Sequence, residues 1–236
     1  MSQFTCIRPS QLSSSRFDLA IVIDVLRATS TSTVLVDCGF PEVLAVPTLS
    51  DIRTLPQRAR LLLVSELRHA DAYGERIDNS PYLARRLTHS AGTPVLVTTN
   101  GTQVMALAAS QSRRVLLCCF MNVAAVAAII RTLAPERAVV LPCGDIASDA
   151  PLIEDDACAE ALIGLVHGLP VDVSALTAAC RADPRIRRRL DRNESFKYDL
   201  DLCLQADVCS TIAEFWTAGD YGIIRAAREY APPEGP

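Results

Sequence analysis

The chain has 236 residues, half of them apolar, and a formal net charge of −4 at pH 7. That length suffices for one large α/β domain or two small ones, each with a real core. The mild acidity excludes the electrostatic footprint of a nucleic-acid binder, and no apolar run reaches the roughly 18 residues a membrane span needs.

The first stretch, MSQFTCIRPSQLSSSRFD, lacks the basic start and apolar middle of a signal peptide, so the expected location is the cytoplasm. The nine cysteines agree with a reducing compartment: most sit in apolar segments such as VLLCCF and DDACAEAL, and none forms a C-x-x-C pair. They read as small buried residues rather than as a zinc or redox site. Lys197 is the only lysine among 23 basic residues, so no single arginine stands out merely for not being lysine.

In chain order, apolar runs predict strands over 18–25, 42–47, 60–66, 93–100, 113–120 and 137–145. They are nearly continuous rather than alternating, which implies burial on both faces of a sheet. Between them, 28–38, 49–58, 80–90, 101–110, 122–134 and 154–167 have helical patterns. This alternation predicts a three-layer α/β fold with a largely parallel or mixed sheet. Residues 1–167 form its core and carry most of the polar motifs. After 168 the pattern becomes mainly helical, with two short helices in VSALTAACRADPRIRRRLDRN and one or two more in FKYDLDLCLQADVCSTIAEFWTAG. YGIIRAAREY fits either a late strand or a closing helix. This part, to about 230, is expected to pack on the core, with a second smaller lobe as an alternative, and the tail APPEGP is expected to be disordered. The run RIRRR (185–189) covers more than one helical turn and reads as a solvated face.

Ligands of parallel sheets bind beyond the carboxyl ends of the strands. There the chain places Asp24, Arg27, Thr29, Ser65, Glu66, Thr98–Thr102, Asn122, Gly144, Asp145, Glu154 and Asp155. DVLRATST (24–31) ends the first apolar run with a carboxylate, a guanidinium and hydroxyls, groups that suit a metal and a phosphate as readily as a helix cap. Gly101 lets the backbone approach a ligand at a helix start, where N–H groups favour an anion. The acidic start of 154–167 is equally explained by the helix dipole. Clustered carboxylates need a cation, and Mg²⁺ bridges one or two of them to phosphate oxygens. His69, His89 and His167 have no metal-ligand spacing. G-x-S-x-G, the P-loop and the dinucleotide fingerprint are all absent, as is the aspartate-phosphatase D-x-D-x-T signature, since Leu26 stands two places after Asp24.

The stretches DVLRATST, NSP, TTNGT, FMNVAAVA, EDDACAEAL and DLDLCLQAD occur in the same order and at similar spacings in the 2-phosphosulfolactate phosphatases. The chain resembles that family across roughly residues 18 to 215. The resemblance implies a mixed α/β fold and Mg²⁺-dependent removal of phosphate from 2-phospho-3-sulfolactate, a step of coenzyme M biosynthesis. Matched by motif position, Asp24, Arg27 and Glu66 are the expected catalytic residues. Thr29, Asn79, Thr99, Asn100, Gly101 and Thr102 are the expected substrate contacts, and Asp24 and Glu66, with Glu154 or Asp155, the expected Mg²⁺ ligands. The family's G-E-R-G-G is SELRH (65–69) here, and its G-F-D-x-G-N-S-P is GERIDNSP (74–81), which puts Arg76 where the family has aspartate. Either the substrate differs, or Asp78 or Asp71 compensates, or the chain binds an anion without turning it over. A different metal-dependent hydrolase on the same scaffold is a third reading. The expected partner is a small phosphate ester, and a homodimer is compatible with the apolar composition.

Overall fold

A computed structural model describes residues 3–12, 16–56, 60–193 and 195–227. Its strands are β1 (Gln3–Cys6), β2 (Phe17–Ile23), β3 (Val43–Ala45), β4 (Leu61–Val64), β5 (Arg76–Ile77), β6 (Thr93–Leu96), β7 (Ser112–Cys118), β8 (Arg137–Pro142), β9 (Ala213–Ala218) and β10 (Tyr221–Ala226). Its helices are α1 (Ala28–Asp37), α2 (Pro81–Ala84), α3 (Gly101–Gln111), α4 (Val123–Leu133), α5 (Ile153–His167), α6 (Val173–Ala182), α7 (Pro184–Arg192) and α8 (Phe196–Cys203).

All ten strands join one mixed sheet, in the order β1-β8-β2-β7-β9-β10-β3-β6-β4-β5. The β1-β8-β2-β7 half is parallel throughout, and so is the β3-β6-β4-β5 half. The antiparallel hairpin β9–β10 joins them, pairing β7 on one side and β3 on the other. Three successive antiparallel pairings make the two halves run in opposite senses along the sheet. Their carboxyl ends meet because both halves wrap around α1 and α3. One apolar cluster holds Val22, Val115 and Val139 from the first half, Val43, Val64 and Leu96 from the second, and Val34, Leu35, Val104 and Met105 from the two helices. A second cluster packs α4, α5 and α8 on the other face of β2, β7 and β8.

Helix α1 shows why ATSTST suits its place. It is buried from Ala28 to Val36, and its hydroxyls find partners within the protein, except Thr31 Oγ1, which has none among the described residues. Thr29 donates to the carbonyls of Asp24 and Cys118, Ser30 to that of Val25 and Ser32 to that of Ala28.

Elsewhere the structure departs from the sequence reading. The helix expected over 49–58 is a 3-10 segment, Leu49–Thr54, and residues 57–59 lie outside the described ones. The helix expected over 80–90 is the single turn α2. Two helices follow 168 as expected, and a third is α8. The rest of the stretch read as helical forms strand β9, and YGIIRA takes the strand alternative as β10. The segment after 168 thus supplies outer helices and also the middle of the sheet. The tail 231–236 lies outside the described residues. Among the described residues no helix is long and apolar enough to cross a membrane. All nine cysteines are free, and six are buried.

Candidate active site

At the end of β2 the chain turns through Asp24, Val25, Leu26 and Arg27 into α1. This turn is pinned from several sides. The Asp24 carboxylate accepts from the Ala28 N–H at 3.1 Å, and its own N–H donates to Thr29 Oγ1 at 3.1 Å. The buried Asp155 carboxylate accepts from Val25 N–H at 2.8 Å and Gly144 N–H at 3.0 Å, tying the ends of β2 and β8 to the start of α5. Arg27, only 5% exposed, directs Nη1 to both Asp78 and Asp199. Asp199 also accepts from Ser80 Oγ and from the Tyr82 N–H, so one carboxylate on α8 fixes Arg27 and the start of α2 together.

The second half of the sheet brings Glu66, Asn79, Thr99 and Asn100 to the same place. Glu66 Oε1 accepts from the Thr99 N–H at 2.7 Å and the Thr99 hydroxyl at 2.9 Å. Asn100 Oδ1 accepts from the Ile146 N–H at 3.3 Å, which holds the loop after β8. Gly101 has no room for a side chain. A Cβ there would lie 2.3 Å from Ala28 Cβ and 2.6 Å from Asp24 Oδ2. The glycine therefore lets α3 press against the β2–α1 turn.

These groups enclose a cavity of about 290 Å³ lined by Asp24, Leu26, Arg27, Glu66, Asn79, Thr99, Asn100, Asp145, Leu152, Arg185 and Arg189. Six of the expected site residues are in that wall: Asp24, Arg27, Glu66, Asn79, Thr99 and Asn100. The other five are not. Thr29 and Thr102 are buried, and their hydroxyls bond within the backbone turns that they stabilise. Gly101 and Asp155 hold elements in place. Glu154, expected as a metal ligand, is buried behind the wall and pairs with Arg185.

Arg185 and Arg189 were not expected here. They lie one turn apart on α7 and line the cavity, whereas Arg187 and Arg188 are exposed. The spacing of four within RIRRR is the signal that marks them. Asp78 and Asp199 were missed as partners of Arg27, and Arg76 does not line the cavity at all. Its guanidinium binds Asp71 and the Ser65 carbonyl, so Asp71 compensates the charge reversal locally.

The electrostatics call for a cation. Asp24, Glu66 and Asp145 line the cavity, and Asp78, Asp199 and Glu154 pair with two of its three arginines, Arg27 and Arg185. Six carboxylates thus face three guanidiniums. Burial pushes the Asp24 carboxyl up to about 7, with the charges of Glu66 and Glu154 adding to the shift and the Ala28 N–H and Arg27 opposing it. Glu66 Oε2, Glu154 Oε1 and Asn79 Oδ1 are buried acceptors with no hydrogen-bond partner among the described residues. Among the described residues no three histidine, cysteine or acidic side chains form a metal cage. What the donor set fits is a hard cation held by one or two carboxylates and completed by water and phosphate oxygens, the usual manner of Mg²⁺.

The model of the 2-phosphosulpholactate phosphatase family matches residues 6–217. A 2-phosphosulfolactate phosphatase of Methanothermobacter thermautotrophicus is 27% identical over 203 residues, covering 82% of this chain and 85% of its own length. A probable 2-phosphosulfolactate phosphatase of Thermoplasma acidophilum is 27% identical, covering 86% and 88%. A third, from Thermotoga petrophila, is 36% identical over 114 residues, and there the match spans only about half of each chain, 48%. With a family model matched from β1 to β9, over a fold whose strand ends build the anionic cavity, the chain belongs to the 2-phosphosulpholactate phosphatase family.

Proposed function

We propose that this protein is a Mg²⁺-dependent phosphatase acting on a small anionic phosphate ester, with 2-phosphosulfolactate, the substrate named for its relatives, the first to test. The observation that carries the reading is the buried Asp24 carboxyl beside Arg27 and Glu66 in a cavity short of positive charge. Mg²⁺, held by Asp24 and Glu66 with Glu154 close behind, would supply the missing charge and polarise the phosphoryl oxygens.

The chain's own groups do the rest. Arg27 spends Nη1 on its two carboxylates, and its remaining N–H groups bind phosphate oxygens, already oriented before substrate arrives. Thr99 and Asn100, at the positive end of α3, bound the same side of the cavity. Hydrolysis forms a bond from water oxygen to phosphorus and breaks the bond from phosphorus to the alcohol oxygen. Asp24 takes the proton of the attacking water and returns it to the leaving alkoxide, so that the carboxylate is restored.

The test is phosphate release from p-nitrophenyl phosphate with Mg²⁺ and with EDTA. Release that stops with EDTA supports the reading; equal release in both removes Mg²⁺ from it.

A further inference from the structure

A second cavity, of about 380 Å³, lies between the segment after β1, helix α3 and the loop after β8. Its floor is the buried pair Val104 and Cys143, and its walls include Leu107 and Ile146, 38% and 37% exposed. Large apolar side chains left wet around one hollow are the usual lining of a small-molecule site, and the volume is within the range of such sites, roughly 300–1,000 Å³. One end is acidic. There Asp149 accepts from the Ser10 hydroxyl at 3.0 Å, and among the described residues no basic side chain lines this cavity. An apolar body with a single cationic group is the complement of that lining.

The same elements wall the catalytic cavity. The start of α3 gives Asn100 to the catalytic side and Gln103 and Leu107 to the other, and the loop gives Asp145 to the catalytic side and Ile146 to the other. Three hydrogen bonds cross the partition. Gln103 Nε2 donates to the Thr99 carbonyl at 2.8 Å, the Ile146 N–H to Asn100 Oδ1 at 3.3 Å, and the Cys143 N–H to the carbonyl of Ile23, next to Asp24, at 2.8 Å.

We propose that this second cavity is a regulatory site for a small amine on an aromatic or branched aliphatic body, whose occupancy tightens phosphate binding across the partition. The apolar body covers Val104, Leu107 and Ile146, and the ammonium group sits at Asp149. An occupant that bridges Leu107 and Ile146 ties the loop to α3 in the arrangement that the Ile146–Asn100 bond describes, so the phosphate wall is ordered before phosphate arrives, and the two ligands favour each other. Binding of the amine stands on the cavity alone; the coupling rests on the phosphatase reading for the position of the phosphate.

The test is a binding titration of the full chain with three probes of similar size: 2-phenylethylamine, 2-phenylethanol and phenylacetate. The amine is expected to bind about 2- to 5-fold more tightly than the alcohol, the range of an exposed ion pair, and the acid most weakly. Asp149→Asn, which suits the left-handed backbone there (φ +53°), is expected to bring amine and alcohol together. Leu107→Ala is expected to weaken all three, and Leu169→Ala, an exposed leucine outside this cavity, to change none. Equal affinities in the wild type overturn the proposal, and so does a full amine preference in Asp149→Asn or, should that variant not fold, an equal loss in Leu107→Ala and Leu169→Ala. The coupling is read from the affinity for inorganic phosphate in Mg²⁺ buffer, with and without saturating amine. It is expected to tighten by about 5-fold or more, the lower end of typical allosteric coupling. Phosphate affinity that is unchanged or weakened removes the regulatory role, whereas amine binding to a protein that takes no phosphate removes the phosphatase reading and leaves the amine site standing.

Discussion

At the scale of single residues, Asp24 carries the account, and its burial makes a thermodynamic prediction. Its pKa lies near 7 in the folded chain, against about 4 in an unfolded one. Between those values the folded state holds the proton more tightly, so this group's contribution is full below pH 4 and is lost as pH rises through 7. The stability of the metal-free protein is therefore expected to fall over that window and level off above it. Asp24→Asn cannot ionise, so its melting temperature should lack that part of the slope and exceed the wild type's at pH 8. An unchanged slope in the variant would show that Asp24 is not the buried acid. Mg²⁺ at pH 8 is expected to raise the melting temperature of the wild type and to do so much less for Asp24→Asn.

Gly101 makes a second prediction at this scale. Its missing Cβ is the space that Ala28 and Asp24 Oδ2 occupy. Gly101→Ala is expected to destabilise by about 1–3 kcal/mol, as overpacking does, and to lower activity by displacing Asp24; a melting curve and a rate measurement check both. Asp24 and Arg27 were legible in the sequence because a charged pair directly after a fully apolar strand has few structural uses. Thr29, Gly101 and Thr102 lie outside the cavity wall, and the residues that shape a tight turn are of the same types as those that bind an anion. Which of the two tasks a hydroxyl or glycine performs depends on what packs against it, and neighbouring residues in sequence do not say.

At the scale of elements, α8 has the largest hidden role. Its Asp199 is 3% exposed and joins Arg27, Ser80 and the Tyr82 N–H across more than a hundred residues of sequence. Asp199→Ala leaves Arg27 with only the half-exposed Asp78, and breaking a buried pair in this way is expected to cost about 3–5 kcal/mol. Chemical denaturation measures it, and a loss below about 1 kcal/mol, the level of an exposed pair, would contradict the assigned contact. Neither this residue nor the α7 arginines stood out in the sequence. DLDLCLQAD enters only as a stretch shared with the resembling family, with no role for Asp199, and RIRRR reads as a solvated face because five consecutive helical residues point in several directions. Only the tertiary placement of α7 turns two of its charges inward. The hairpin β9–β10 did leave a signal. Gly219 and Asp220 separate AEFWTA from YGIIRA by two residues, and Gly219 has φ +67°, the spacing and glycine expected of a two-residue hairpin turn.

At the scale of the molecule, the architecture explains why convergence succeeded on an incomplete premise. The sequence argued that strand ends meet at one edge of a parallel sheet. The strands form two parallel halves of opposite sense, and the ends meet because both halves wrap one pair of helices. The element types were readable from apolar runs; the order of strands was not, since pairing between distant segments leaves no local pattern. The hairpin at the junction is bound into the first half by the bidentate Arg114–Glu214 pair at 2.7 and 2.9 Å, with Glu214 buried. A chain ending at residue 212 is therefore expected to lose cooperative unfolding altogether, which calorimetry would reveal; a sharp transition in the shortened chain would mean the halves do not depend on their shared hairpin.

A magnesium-and-phosphate site at the end of β2, with Asp24 acting in it, makes phosphate release depend on both the metal and that carboxylate. The most direct measurement is phosphate release from 2-phosphosulfolactate by the wild type and by Asp24→Asn, each with Mg²⁺ and with EDTA, on protein shown to be folded. Release is expected from the wild type with Mg²⁺ only, with a loss of at least about 100-fold in Asp24→Asn, the scale of a removed general base. Equal rates in the two proteins, or release that persists in EDTA, would contradict it.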